Sequence, residues 1–501
     1  MATVQAPAPS PDASTKRLLP WMVAVAFFMQ SLDTTILNTA VPAIAQAMDV
    51  TPLNMKSVLA SYTLSLAVFI PISGWMADRF GTRRVFGGAI ALFSLGSLLC
   101  GISTHITMLV ACRILQGIGG AMMVPVGRMI MVRTFPKSEL IRAMSFVSIP
   151  SLIGPMLGPV VGGLIVHYLH WSIVFFVNLP VGFLGLYLVR KYLPDYRESE
   201  THPLDVVGLI LFGTGVALLS YVLEVFGEHS LNDLEMAGLL ALSGLLLTGY
   251  GLRAMQTPYP LLMLSLFKLR TFRAAVVGSF VGRLGLGGIP FLFPLLYQIG
   301  LGFTPVQSGM LIAPQAMAAI GLKIVVPRIL ALFGYRTVLI VNTLIVGCLI
   351  MSFATVGADT PAWRIVLQAF ILGFFTSMQY TSMNTLVYAD VTASQTSSAS
   401  TIASTGQQMS ISFGVASASL IASMFVPESL HSDPTAMIHG VHEAFIVLGL
   451  LTIASSLVFM ELRKTDGGAV SRHAARKTRC PPRAGSGNVE SVTLPSPWAP
   501  A

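Results

Sequence analysis

Charge is what this chain has least of. Only 10% of its 501 residues are Asp, Glu, Lys or Arg, while 54% are hydrophobic, and the mean hydropathy is +0.75. A soluble domain carries about 25% charged residues, so a water-facing globular surface is excluded and the class is polytopic membrane protein. Cysteine is also scarce. Cys100, Cys112, Cys348 and Cys480 are scattered, the first three within apolar stretches, which gives neither a disulfide framework nor a zinc spacing; packing is the expected role of those three. No His-Glu-x-x-His, paired-aspartate helix motif or Ser/His set occurs among the apolar stretches. An intramembrane enzyme is therefore a remote alternative, and neither cofactor nor metal is expected. His167 with His170, and His439 with His442, are spaced like metal ligands but stand at span ends without further ligands. They read as loop histidines. Connections between apolar stretches are short, which leaves no room for a soluble output domain.

What the chain does have is runs of about 20 apolar residues, the length that crosses a bilayer as a helix. Fourteen are expected: Pro20–Ala40, Ser57–Met76, Val85–Ile102, Met108–Ile130, Ala143–Val166, Val174–Leu193, Val206–Val225, Met236–Leu252, Ala274–Tyr297, Gly309–Leu330, Thr337–Val356, Ile365–Leu386, Thr401–Phe425 and Ala444–Met460. Lys16-Arg17 and Ala43-Ile44-Ala45 imitate a signal peptide, but the stretch is too long and holds Asp33, so an uncleaved helix is expected. With the N-terminus in the cytoplasm, the cytoplasmic loops hold basic residues from Arg79 to Arg336. The opposite loops hold Asp49, Glu228, Asp233, Glu235, Asp359, Glu428 and Asp433, with only Lys56 and Arg364 near them. This is the positive-inside asymmetry. It places both termini in the cytoplasm and assigns the net charge of +9 to membrane topology rather than to nucleic acid. The expected organisation is a disordered N-terminal tail (1–17), a six-helix half (18–198), two linking helices (199–255), a second six-helix half (256–462) and a disordered basic tail (463–501). In that last tail, Arg472, Arg476, Lys477 and Arg479 either touch anionic lipid heads or are simply solvated.

Four segments carry chemistry. In the first span, Leu32-Asp33-Thr34-Thr35-Ile36-Leu37-Asn38 puts a carboxylate where a charge costs about 2.5–3.5 kcal/mol, so a functional site with a partner is expected. The candidate partner is Arg113 in span four, at comparable depth and followed by Gln116-Gly117-Ile118-Gly119-Gly120. That glycine run follows no strand and is no dinucleotide fingerprint; it suits close helix contact. A purely structural ion pair is the competing reading. Between spans two and three, Gly74, Asp78, Arg79, Gly81, Arg83 and Arg84 form a short turn in which glycines let helices close, Asp78 can meet a helix N-terminus, and the arginines supply switchable ion pairs. In span five, Gly154, Gly158 and Gly162 recur every four residues as a flat ridge, interleaved with Pro155, Pro159 and Gly163.

Taken in order, these segments resemble the major facilitator superfamily, and within it the fourteen-span drug:proton antiporter group. Leu32 to Asn38 with Pro42 is similar to that group's first-helix signature and Gly74 to Arg84 to the superfamily's loop motif. Arg113 to Gly120 resembles its span-four proton-transfer motif, Gly154 to Gly163 its antiporter motif, and Phe175 to Gly182 the start of its span six. Phe28–Thr35, Gly119–Arg128 and Gln298–Phe303 narrow the resemblance to one member of the group. Two departures stand out. Trp171-Ser172-Ile173 replaces the group's Trp-Arg-Trp, and the second-half loop copy around Pro327-Arg328 and Gly334-Tyr335-Arg336 lacks its acidic residue. Rim switching is thus expected to rest on the first copy.

The resemblance implies two six-helix halves around a midplane cavity with spans seven and eight added between them. It also implies proton-coupled export of small amphipathic compounds from the bacterial inner membrane by a monomer, with the proton as coupling ion. A narrow-specificity metabolite exporter of the same fold is the alternative. Asp33 and Arg113 are the expected proton-coupling pair, since burial disfavours an ionised carboxylate and a nearby guanidinium favours it. Asn38, Gln116, Gly117, Met122, Met123, Arg283 and Phe291 are the expected cavity wall. Glu224 reads as interfacial. Arg283 lies about 15 Å beyond Arg273 along a helix, among Gly282, Gly285, Gly287, Gly288 and Pro290, with Lys323 in the next span. With Asp33, Arg113 and Arg283 all facing the cavity, its charge would be −1 + 2 = +1, favouring anionic or neutral amphiphiles.

Overall fold

The computed structural model describes residues 13–135, 137–197, 202–225, 232–321, 325–392, 395–425 and 434–467. The basic residues at 472–479, Lys323 and the side chain of Glu224 lie outside the described residues. Apolar segments in a bilayer must satisfy every backbone N–H and C=O internally, and this chain does so with helices; no strand occurs among the described residues. We number them α1 (Ala13–Ala47), α2 (Pro52–Phe80), α3 (Thr82–Gly101), α4 (Ile106–Thr134), α5 (Lys137–Tyr168), α6 (Ile173–Tyr192) and α7 (Val206–Val225). There follow α8 (Asp233–Gln256), α9 (Arg270–Gly300), α10 (Pro305–Gly321), α11 (Val326–Ser352), α12 (Ala362–Leu386), α13 (Thr396–Phe425) and α14 (Pro434–Phe459). Among the described residues, eleven helices are long and apolar enough to cross a membrane. The other three expected spans fall on α5, on α10 with the first turns of α11, and on α12.

The interruptions sit where the sequence removes donors or frees the backbone. Pro71 lies in a 3₁₀ turn (Ile70–Ile72) inside α2, and Pro290 and Pro294 precede a π-helical stretch (Leu295–Gly300) in α9. Gly81, between α2 and α3, has φ +92°, and Gly334, within α11, has φ +73°. Both take a conformation that an L side chain adopts only at a cost. The chain therefore turns the same way at corresponding places in its two halves. At both edges the order extends past expectation: α1 starts at Ala13, inside the stretch expected to be a disordered tail, and residues 463–467 continue beyond α14.

The packing is a repeat. α1 packs on α5 as α9 packs on α13, α2 on α4 as α10 on α12, and α3 on α6 as α11 on α14. The halves meet through α5 against α10 and α13 against α2. Their shared apolar cluster joins Ile36, Val41 and Leu53 of one half to Leu292, Phe293 and Phe445 of the other, at the end opposite the Gly81 turn. Toward the Gly81 end each half has its own cluster. α7 and α8 form a pair beside this body, with α7 touching both α2 and α13.

Candidate functional site

Glycine makes the site possible. A Cβ on Gly96 would stand 2.7 Å from Gln116 Cα, and one on Gly119 would stand 2.6 Å from the Phe93 nitrogen, so α3 and α4 can lie flush only without those side chains. Gly154, Gly158 and Gly162 do the same for α5 against α1, at Ser31, Thr35 and Ile36. α6 breaks at Val177 and restarts at Asn178, which brings a polar side chain inward.

These approaches bring five polar side chains together. Asp33 Oδ2 accepts from Arg113 Nη1 (2.7 Å), and Asp33 Oδ1 accepts from Gln116 Nε2 and Asn178 Nδ2 (2.8 Å each). Arg113 Nη1 also donates to Gln116 Oε1 (2.6 Å). Ser97 Oγ accepts from Gln116 Nε2 (2.7 Å) and Asn178 Nδ2 (3.1 Å). The guanidinium lies over the Tyr62 ring, 4.2 Å from its centroid, a favourable placement for a desolvated cation. Asp33 and Arg113 are each 1% exposed. The carboxylate thus has three donors from two helices and no open path to water. With its carboxylate so held, the charge pair can persist in an apolar interior although Arg113 Nε is buried without a hydrogen-bond partner, whereas either charge alone could not.

The expected pair therefore meets, but inside the N-terminal half and not on a cavity wall. The same holds for most of the expected wall. Gln116 belongs to the carboxylate cluster, Gly117 packs on Tyr62 and Ser65, and Met122 and Met123 lie in the N-terminal half's own core. Phe291 is buried in the cluster shared by the halves. Asn38 is half-buried. Met122, Met123 and Phe291 were expected on the wall as an adaptable apolar lining, and helix-to-helix packing uses the same residue types. Arg283 is also buried, its Nε 3.0 Å from Ser279 Oγ and its Cζ 3.7 Å from the Tyr380 ring centroid. The glycines around it serve close packing. Gly285 meets Thr452, and Gly287 lies against Ile411. The expected cavity charge of +1 consequently does not stand, since Asp33 and Arg113 are sealed off together.

At the loop end, Gly81 makes the turn that the motif requires, while a side chain at Gly74 would find room, with only Met129 Cε at 3.9 Å. Asp78 pairs with Arg133 (2.8 Å). The carboxylate at the N-terminus of α3 is instead Asp195, which accepts from the Arg83 backbone N–H (3.0 Å). Arg83 Nε donates to Leu193 O (2.6 Å), and Arg79 and Arg84 are exposed. Pro155 is half-buried. Gly163 approaches Pro305 and Gly309 approaches Pro159 across the halves. The second half does not lack acidic partners at its rim. Asp466, behind α14, takes two bonds from Arg270 (2.9 and 2.6 Å), and Glu461 pairs with Arg273. Rim pairing therefore does not rest on the first copy alone; the acid comes from the far end of the repeat. Among the described residues no group of three potential metal ligands occurs. Ser97, Tyr62, Asp195 and Asp466 were not legible as site residues. Asn178 carried one signal, an amide within an apolar span.

The segments Phe28–Thr35, Gly119–Arg128 and Gln298–Phe303 are similar to MdtD, and comparison of the whole chain agrees. It is 40% identical over 426 residues to the "Putative multidrug resistance protein MdtD" of Serratia proteamaculans (strain 568), covering 85% of this chain and 88% of that protein. To the protein of the same name from Escherichia coli O6:K15:H31 (strain 536 / UPEC) it is 41% identical, covering 84% and 89%. Among solved structures, a bacterial homologue of the human lysosomal transporter Spinster, inward-facing and unoccupied, superposes with TM-score 0.64 at 14% identity, over 94% of this chain and 100% of that one. A D-xylose-proton symporter gives 0.63 at 15% identity, over 90% and 99%. Residues 23–415 match the Major Facilitator Superfamily. The chain is a multi-pass membrane transporter of the Major Facilitator Superfamily, in the group of MdtD-like proteins.

Proposed function

We propose that this transporter is a drug:proton antiporter that exports small amphipathic compounds across the bacterial inner membrane, with both termini cytoplasmic and the proton, not a cofactor, as its coupling partner. The observation that carries the reading is the carboxylate of Asp33, buried and held by Arg113 and Gln116 of α4 and Asn178 of α6. Protonating Asp33 removes one charge of a buried pair and leaves the guanidinium uncompensated, which costs several kcal/mol in a fixed geometry. The cost falls if α1 shifts against α4 and water reaches the pair. Proton binding and helix movement are thereby the same event. α1 also bears Ile36 and Val41 of the cluster shared by the halves, so its movement acts on the seal between them. With the termini in the cytoplasm, that seal lies at the outer end.

Multidrug export is supported by the name carried by the MdtD relatives and by the glycine-proline segment of α5 that resembles the antiporter motif. The test is a drug-susceptibility panel in a pump-deficient host together with pH-driven transport in everted vesicles, for wild type and Asp33→Asn. Loss of gradient-driven export in the variant, at matched membrane levels, is the expected result. Continued accumulation against a gradient would remove Asp33 from the coupling role.

A further inference from the structure

Burying a cation without a carboxylate is costly in a membrane protein, yet Arg283 is 3% exposed and no carboxylate lies within ion-pair distance of it among the described residues. Its Nε is taken by Ser279, and Tyr380 lies over its face and also meets it through the phenol oxygen. What remains is the edge bearing the two terminal nitrogens, the fork that matches a carboxylate or sulfonate bidentately. The position is fixed, because Gly414 lies against the Arg283 carbonyl and pins α9 to α13. It is also central. Leu286, one turn along α9, belongs to the apolar cluster that contains Ile36 of the opposite half, and Tyr380 packs on the same cluster.

The repeat sharpens the contrast. Arg283 and Tyr380 lie on α9 and α12, the first and fourth helices of their half, as Asp33 and Arg113 lie on α1 and α4 of the other. In the first half the charge on the first helix meets an opposite charge on the fourth; in the second it meets an aromatic ring.

Resting on the transport reading above, we propose that Arg283 and Tyr380 form the headgroup site for an anionic amphiphile, a carboxylate or sulfonate attached to an aromatic body, which completes the missing charge pair while it is carried. The preorganised fork supplies affinity for the anion, and the Tyr380 ring offers its surroundings to the aromatic part.

The test uses three probes with one ring: naphthalene-2-sulfonate, 2-naphthylmethanol and 2-naphthylmethyl-trimethylammonium. Equilibrium binding is measured on the full-length protein in phosphatidylcholine nanodiscs, without a pH gradient. Wild type should bind the sulfonate more tightly than the ammonium. Arg283→Gln should weaken sulfonate binding at least about tenfold (about 1.4 kcal/mol) and leave the alcohol within twofold. Preference for the ammonium, or unchanged sulfonate binding in Arg283→Gln, would overturn the proposal. Equal loss for sulfonate and alcohol would overturn it too, by marking a structural role. If Arg283→Gln is not recovered folded, Tyr380→Leu should weaken the sulfonate at least threefold and unchanged binding refutes the proposal. Replacing part of the lipid with phosphatidylglycerol should leave the sulfonate bound; displacement would make the site a lipid-headgroup site and refute a carried substrate. Because binding needs no gradient, failure of pH-driven export overturns antiport while leaving this result untouched.

Discussion

Asparagine at position 33 looks like a harmless isostere in the sequence, cheaper to bury and unable to titrate. The structure predicts otherwise. Asp33 Oδ2 faces Arg113, and Oδ1 faces two amide N–H donors, from Gln116 and Asn178. An asparagine satisfies one side with its oxygen and points its own N–H₂ at a donor on the other. It also leaves Arg113, 1% exposed, without a counter-charge. Breaking a buried pair from one side costs about 3–5 kcal/mol, while replacing both partners can be nearly neutral. Asp33→Asn should therefore lower the Tm of the purified transporter by roughly 6–20 °C, given about 2–4 °C per kcal/mol for a unit of six-helix size. Arg113→Met alone should do at least as much, by stranding the carboxylate. The double variant Asp33→Asn with Arg113→Met should recover most of the loss while remaining unable to drive export with a pH gradient. Thermal unfolding in detergent gives the first three numbers and everted vesicles the last. Additive losses in the double variant would refute the coupling of this pair. Recovery of gradient-driven export along with stability would refute its role in transport.

Three further outcomes follow from other parts of the molecule. Gly81→Ala forces a side chain into φ +92° and against the Asp195 carboxylate, so it should cost about 1–2 kcal/mol and slow turnover severalfold while substrate affinity in nanodiscs stays within twofold. Gly163→Val should prevent the close contact with Pro305 and favour separation of the halves at that end; a Gln298→Cys probe, at a position now bonded to Thr39 O across the halves, should then label faster with an impermeant maleimide. Burial works to raise the Asp466 carboxyl, but its bonds from Arg270 and the Arg463 N–H prevail and hold it below its ordinary value of 3.8. A depressed value means that the stabilisation is full above 3.8 and fades as pH falls through the lower folded value, so the Tm gap between wild type and Asp466→Asn should be constant from pH 5 to 7 and close under stronger acid.

The spans were legible because the bilayer imposes one rule on every segment, an apolar length with few charges, and eleven helices among the described residues obey it. The Asp33–Arg113 pair was legible for the complementary reason, that each breaks the rule at similar depth. Their surroundings were not. Ser97 differs in no way from the other serines of apolar helices until Gly96 brings α3 against Gln116. Asp195 and Asp466 follow the last span of each half and reach sites distant in the chain, so no local pattern marks them. The neighbours of the expected wall residues were hidden for a different cause. Composition says that Met122, Gly117 and Phe291 lie within the membrane, but which neighbour they face depends on helix rotation, and small and apolar residues suit a packed seam as well as a cavity.

The two halves share their scaffolding more closely than their interiors. Each turns on a left-handed glycine, Gly81 or Gly334, and each ties an arginine near that end to an acid from behind its last helix, Asp195 or Asp466. These devices set how a half holds its shape as a body, and two bodies that move against one another need similar ones. The charges inside answer to a different demand. A paired, sealed carboxylate in one half and an aromatic-backed guanidinium without an acid among the described residues in the other cannot both serve a symmetric purpose. A group that must exchange a proton needs partners that hold each of its states, whereas a group that must release a ligand needs its counter-charge to be absent between rounds. Arg113, Gln116 and Asn178 meet the first condition for Asp33, and Arg283, with no acid beside it among the described residues, meets the second.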